Sequence, residues 1–74
     1  MNSASTSAAT TISPVDDATY NLLQSLVTKL EGIETFSRYA ADGGEWAALY
    51  ERLARENVNS AKELLDALRK QLAS

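Results

Sequence analysis

At 74 residues the chain is one small domain at most. Ten acidic residues against seven basic ones give a net charge of −3, which argues against a nucleic-acid partner and against a basic helix adsorbed on a membrane. With no cysteine and no histidine, the sequence excludes disulfides, thiolate and imidazole metal sites, and the commonest acid–base and nucleophilic chemistry.

From Ser3 to Thr11 every residue is Ala, Ser or Thr, so residues 1–12 are expected to form a flexible tail with little to bury. Ser13-Pro14-Val15-Asp16-Asp17 reads as a helix start. Ser13 is placed to cap, Pro14 suits the first helical position, and the two aspartates favour the positive end of the helix dipole. A first helix is predicted over about 14–41, with only Gly32 weakening its propensity. Asp42-Gly43-Gly44 breaks it, and Glu45 opens a second helix running to about residue 72 with no Pro or Gly inside. Arg69 and Lys70 complement its negative end. Two long helices joined by so short a turn must be antiparallel, so residues 13–74 are predicted to be an all-α helical hairpin.

On a helical wheel, Thr19, Leu23, Leu26, Leu30, Ile33, Ser37 and Ala40 form an apolar line at alternating spacings of four and three. Leu22 and Phe36 widen it on one side and Val27 on the other. Lys29 sits at its edge beside Leu22 and Phe36, and Glu34 at the opposite edge. The second helix carries Trp46, Tyr50, Leu53, Asn57, Ser60, Leu64, Leu68 and Gln71, flanked by Leu49 on one edge and by Ala54, Ala61, Leu65 and Leu72 on the other. This stripe is too wide for one partner helix to cover. Burying one large apolar side chain is worth about 1.5–3 kcal/mol. Self-association of the hairpin into a four-helix bundle, as a dimer or higher homo-oligomer, is therefore expected, with Leu23, Leu26, Leu30, Ile33, Trp46, Tyr50, Leu53, Leu64 and Leu68 along the oligomer seam.

Opposite charges stand four apart at Glu51/Arg55, Arg52/Glu56, Lys62/Asp66 and Asp66/Lys70, which reads as helix support. Asn57 and Ser60 interrupt the apolar face of the second helix. Buried polar groups need partners, and a polar layer there fixes register and partner number. Trp46 and Tyr50 are expected to pack across the hairpin mouth, while Tyr39 points away from the seam and is a candidate for outside contact. Gly43-Gly44 is a turn without a phosphate-loop pattern.

The stretch Leu30-Glu31-Gly32-Ile33-Glu34-Thr35-Phe36, followed by Trp46 through Glu56 and then Ala61-Lys62-Glu63-Leu64-Leu65, resembles the helical hairpin of the ferritin-like superfamily, most closely rubrerythrins and encapsulated ferritins. The resemblance spans about residues 20–72 and implies a hairpin that completes its bundle by dimerising. In those families a carboxylate on the first helix and an E-x-x-H pair on the second hold iron. Those positions fall on Lys29, Asn57 and Ser60, none of which is a family ligand, and an ammonium at Lys29 repels a dication. The resemblance thus implies fold and assembly while these substitutions oppose ferroxidase activity.

The sequence leads to a non-enzymatic, cytoplasmic interaction, scaffold or regulatory module with no cofactor and neither nucleic acid nor membrane as partner. One alternative is a divergent ferritin-like protein holding a divalent metal ion between subunits with Glu31, Glu34 and Glu56. Another is a small subunit that stays loose until it meets a larger protein partner.

Overall fold

A computed structural model describes residues 12–74; the expected tail, residues 1–12, lies outside them except for Ile12. The fold is two α-helices packed against each other, α1 over Asp17–Ala41 and α2 over Ala47–Ala73, with no strand among the described residues. No helix there is long and apolar enough to cross a membrane.

The start of α1 differs from the sequence expectation. Asp16, rather than Ser13, is the N-cap: its carboxylate accepts the Thr19 backbone N–H at 2.8 Å. Ser13 accepts only the Val15 N–H, at 3.2 Å, and Pro14 stays outside the helix. A carboxylate is the stronger acceptor at a positive helix end, so the later cap prevails. At the other end of α1, the Asp42 N–H is shared between the Arg38 and Tyr39 carbonyls and the Gly43 N–H reaches Ala40. Gly43 and Gly44 then take φ of 79° and 86°, a left-handed pair that reverses the chain at little steric cost. Glu45 and Trp46 belong to this turn, so α2 begins two residues later than expected.

The helices meet along Thr19, Leu22, Leu26, Lys29, Ile33, Phe36 and Ala40 of α1, each buried or half-buried. Facing them on α2 are Ala47, Tyr50, Ala54, Asn57, Ala61, Leu64, Leu68 and Gln71, likewise buried or half-buried. Both lines alternate steps of three and four, the spacing of a helix–helix interface. The core centres on Leu26, Ala61 and Leu68, with Leu22, Ile33 and Leu64 packed around it. Ala47, Ala54 and Ala61 recur every seventh residue, and alanine at these points lets the helices approach closely.

The contact between α1 and α2 uses only part of the apolar line expected along the oligomer seam. Leu26, Ile33, Leu64 and Leu68 lie in the core, but Leu23, Leu30 and Trp46 are exposed, Trp46 by 60%. Ala54 and Ala61, expected at the margin, are buried in the middle. Near the turn, Phe36 stacks on Tyr50 at 5.9 Å between ring centroids, and Tyr39 meets Tyr50 edge-on at 5.2 Å. Tyr39, expected to point outward, is 43% exposed and also sets its ring against Tyr50 near the turn, where Trp46 was expected to pack. On the surface Arg52 pairs with Glu56 at 2.7 Å, as anticipated. Asp66 takes Arg69 at 3.0 Å instead of Lys62 or Lys70.

Asp16 also ties the open end of the hairpin, because its carboxylate accepts the Gln71 side-chain amide at 3.2 Å. The backbone bond from Thr19, then the Thr19 and Gln71 side chains, hold its pKa below the ordinary 3.8. A depressed folded-state pKa means that this stabilisation is present above about pH 3.8 and is lost as pH falls through the folded value. Asp16→Ala should lower the melting temperature at neutral pH. Asp16→Asn keeps a capping oxygen but should lose part of the acid-side slope, seen by comparing circular-dichroism melts between pH 7 and about pH 3.

Candidate functional site

Two features stand out from the ordinary surface of a hairpin. The first is the polar layer. Asn57 is half-buried on α2 and lies against Gly32 of α1. A methyl group on Gly32 would overlap the Asn57 amide nitrogen and stand 3.3 Å from its Cγ. Gly32 is therefore a point of close approach, which its cost to helix propensity does not reveal. With Asn57 opposite Gly32, the antiparallel register brings Ser60 level with Lys29. Lys29, Asn57 and Ser60, singled out separately on the two helices, therefore fall in one zone of a single hairpin. Each is half-buried. Among the described residues no side-chain hydrogen bond joins them.

Glu31, Glu34 and Glu56 are not brought together. All three are exposed, and Glu56 is occupied by Arg52. Glu31 lies on the outer side of α1, and Glu34 on the line that runs on from Leu30 toward the turn. Among the described residues no three acidic side chains of one chain converge as a metal cage would require.

The second feature is an apolar face. Tyr20, Leu23, Val27 and Leu30 recur at steps of three and four along α1, and they are 55, 39, 45 and 49% exposed. Toward the turn the same line continues through Glu34, Ser37 and Ala41, all exposed. There a shallow groove of about 470 Å³ opens between the helices, bounded by Ile33, Ser37, Ala40 and Ala41 of α1 and by Glu51, Ala54, Arg55 and Val58 of α2. The groove shows which side of α2 shares this face. At 100° per residue, Lys62, Leu65 and Leu72 follow Val58 on that side. Leu65 and Leu72 are 36 and 66% exposed. One face of the hairpin thus carries large apolar side chains at its open end, and at its turn end a groove floored by small residues and rimmed by Glu51 and Arg55. The wheel reading places these residues on the apolar arc, but it does not separate those facing α2 from those facing outward.

No family model, curated protein or solved structure matches the chain. The chemistry of the site therefore rests on its own residues.

The Gly32–Asn57 contact gives a direct test. Gly→Ala inside a helix normally stabilises by about 0.5–1 kcal/mol. Here Gly32→Ala should destabilise by about 1–2 kcal/mol through overpacking. Combining it with Asn57→Ala should recover much of that loss, giving a favourable coupling energy in a double-mutant cycle of urea unfolding.

Proposed function

We propose that the chain is a non-catalytic helical hairpin that self-associates into a ferritin-like four-helix bundle and acts as an interaction, scaffold or regulatory module in the cytoplasm. One observation carries the reading: the single hairpin leaves its apolar surface half uncovered. Among the described residues no large side chain is fully buried, while Tyr20, Leu23, Val27, Leu30, Leu65 and Leu72 are each more than a third exposed. At up to about 1.5–3 kcal/mol for each large apolar side chain, covering them adds substantially to the thin mutual core of two helices. The substituted positions Lys29, Asn57 and Ser60 support a polar packing layer over an iron site. An ammonium and two neutral side chains offer a dication no negative charge.

Native mass spectrometry of protein grown with added iron, manganese and zinc reads subunit number and bound metal together. A metal-free assembly of even subunit number is expected. Stoichiometric metal would favour the carboxylate site of Glu31, Glu34 and Glu56 instead, and a monomer that melts without cooperativity would favour a subunit awaiting a larger partner. Melting temperature should rise with protein concentration, because association stabilises the folded state by mass action. The ferritin-like relationship makes a separate prediction. The folded triple variant Lys29→Glu, Asn57→Glu, Ser60→His should gain iron(II) binding by calorimetry, and no uptake would count against it.

A further inference from the structure

We infer that the Tyr20–Leu30 face also takes an amphipathic helix of a different protein, apolar along its seam and acidic along the one flank that lies over α2. This goes beyond the self-association proposed above. Such a helix competes with a second copy for the same face, and its binding does not depend on that copy.

The α2 half of this face has a charge pattern. Arg55, Val58, Lys62, Leu65, Arg69 and Leu72 follow one another at alternating steps of three and four. They share one side of the helix, within about 100° of arc. Cations and aliphatic residues therefore alternate, each set recurring every seventh residue. Seven residues make almost two turns, so each set forms a row. The aliphatic row lies nearer α1, and the cations form the outer rim. Val58 is half-buried, Leu65 and Leu72 are 36 and 66% exposed, and all three cations are exposed. Arg55 and Lys62 have no ion pair among the described residues. Arg69 holds Asp66 at 3.0 Å, but with side chains 73 and 68% exposed the pair is weak and free to exchange. Glu51 follows at the turn end of the row. On a chain of net charge −3, this rim is locally basic. The α1 half of the face, Tyr20, Leu23, Val27 and Leu30, is apolar, with Glu34 next along the line.

A helix laid lengthwise on this face rests its apolar stripe on the α1 residues and on the aliphatic row of α2. Its flank over α2 then runs along the cations. The matching partner is apolar at the seam positions of each heptad and carries a carboxylate every seventh residue on that flank. Apolar burial supplies most of the affinity. Each rim pair adds little by itself, but a row of them sets partner choice and association rate. A nucleic acid would meet the cations and leave the aliphatic row uncovered. A second copy does the reverse. Its α1 line brings one carboxylate, Glu34, and its α2 row brings the same three cations. It covers apolar surface without neutralising the rim. An acid-flanked helix satisfies both rows, which gives it the advantage over a second copy.

The probe is a synthetic peptide of three heptads with leucine at its a and d positions and glutamate at every g position. Fluorescence anisotropy reads its affinity, and sedimentation equilibrium reads the subunit number of the complex. The peptide should bind one hairpin and dissociate the self-assembly. The same peptide with lysine at every g position should bind about tenfold more weakly or worse. That preference should shrink in about 1 M salt. The triple variant Arg55→Glu, Lys62→Glu, Arg69→Glu changes exposed positions and should stay helical by circular dichroism. It should reverse the preference, and Lys62→Glu alone, a milder change, should narrow it. Leu65→Ser should weaken the glutamate peptide about tenfold, because the apolar row is needed as well. Equal affinity for the two peptides, or binding that leaves the self-assembly intact, would overturn the inference. Poly-glutamate binding as tightly as the peptide would overturn it too, since that requires charge alone. A chain that is monomeric without peptide would remove the proposed self-association, while preference for the glutamate peptide would still uphold the inference.

Discussion

The close antiparallel contact of α1 with α2 at their small residues is the constraint from which the rest follows. Ala47, Ala54 and Ala61 recur every seventh residue on α2, and Gly32 of α1 makes room for Asn57 of α2. Helices approach where side chains are small, so the larger residues are displaced to the flanks. Leu22, Leu26, Ile33, Leu64 and Leu68 fill the space beside the alanines and make the core. Leu23, Val27 and Leu30, on the same helix, are turned outward by that choice.

Both ends of the hairpin are fastened by interactions that also fix its register. At the open end Asp16 bonds the first turn of α1 and the Gln71 amide near the end of α2 with one carboxylate. At the closed end the two left-handed glycines reverse the chain, and Phe36, Tyr39 and Tyr50 form an aromatic cluster just inside the turn. Aromatic contacts of this kind prefer offset or edge-on geometry, so they constrain orientation as well as burying area. Between the two ends Asn57 fits over Gly32 in a way that a slip along the helix would destroy.

The proposed function rests on what this packing leaves over. The intramolecular contact uses one side of a broad apolar arc, and the remainder becomes a face that is apolar toward the open end and rimmed by charge toward the turn. The polar zone at Lys29, Asn57 and Ser60 lies within the hairpin, half-buried, where the resemblance to iron-binding hairpins would set metal ligands. Its residues supply hydrogen-bonding groups and one positive charge, a composition suited to packing and register more than to holding a dication.

Much of the architecture was legible from the chain itself. Apolar periodicity gives two helices, Asp42-Gly43-Gly44 gives the turn between them, and the brevity of that turn makes them antiparallel. These are local properties: helix propensity and backbone freedom act over a few residues, and the sequence carries them residue by residue. The absence of histidine and cysteine limits the chemistry in the same direct way. The tertiary structure alone decided which line of the apolar arc meets the other helix. A wheel ranks residues by hydrophobicity, and so it favours Leu23, Leu30 and Trp46. The folded hairpin ranks them by how closely two backbones approach, and so it buries Ala54 and Ala61 and leaves those three exposed. The choice of Asp16 over Ser13 as cap has a similar origin, since Asp16 gains Gln71 as a second partner from a residue far along the chain. Closeness across the hairpin is a property of two surfaces together, and neither helix carries it in its own sequence.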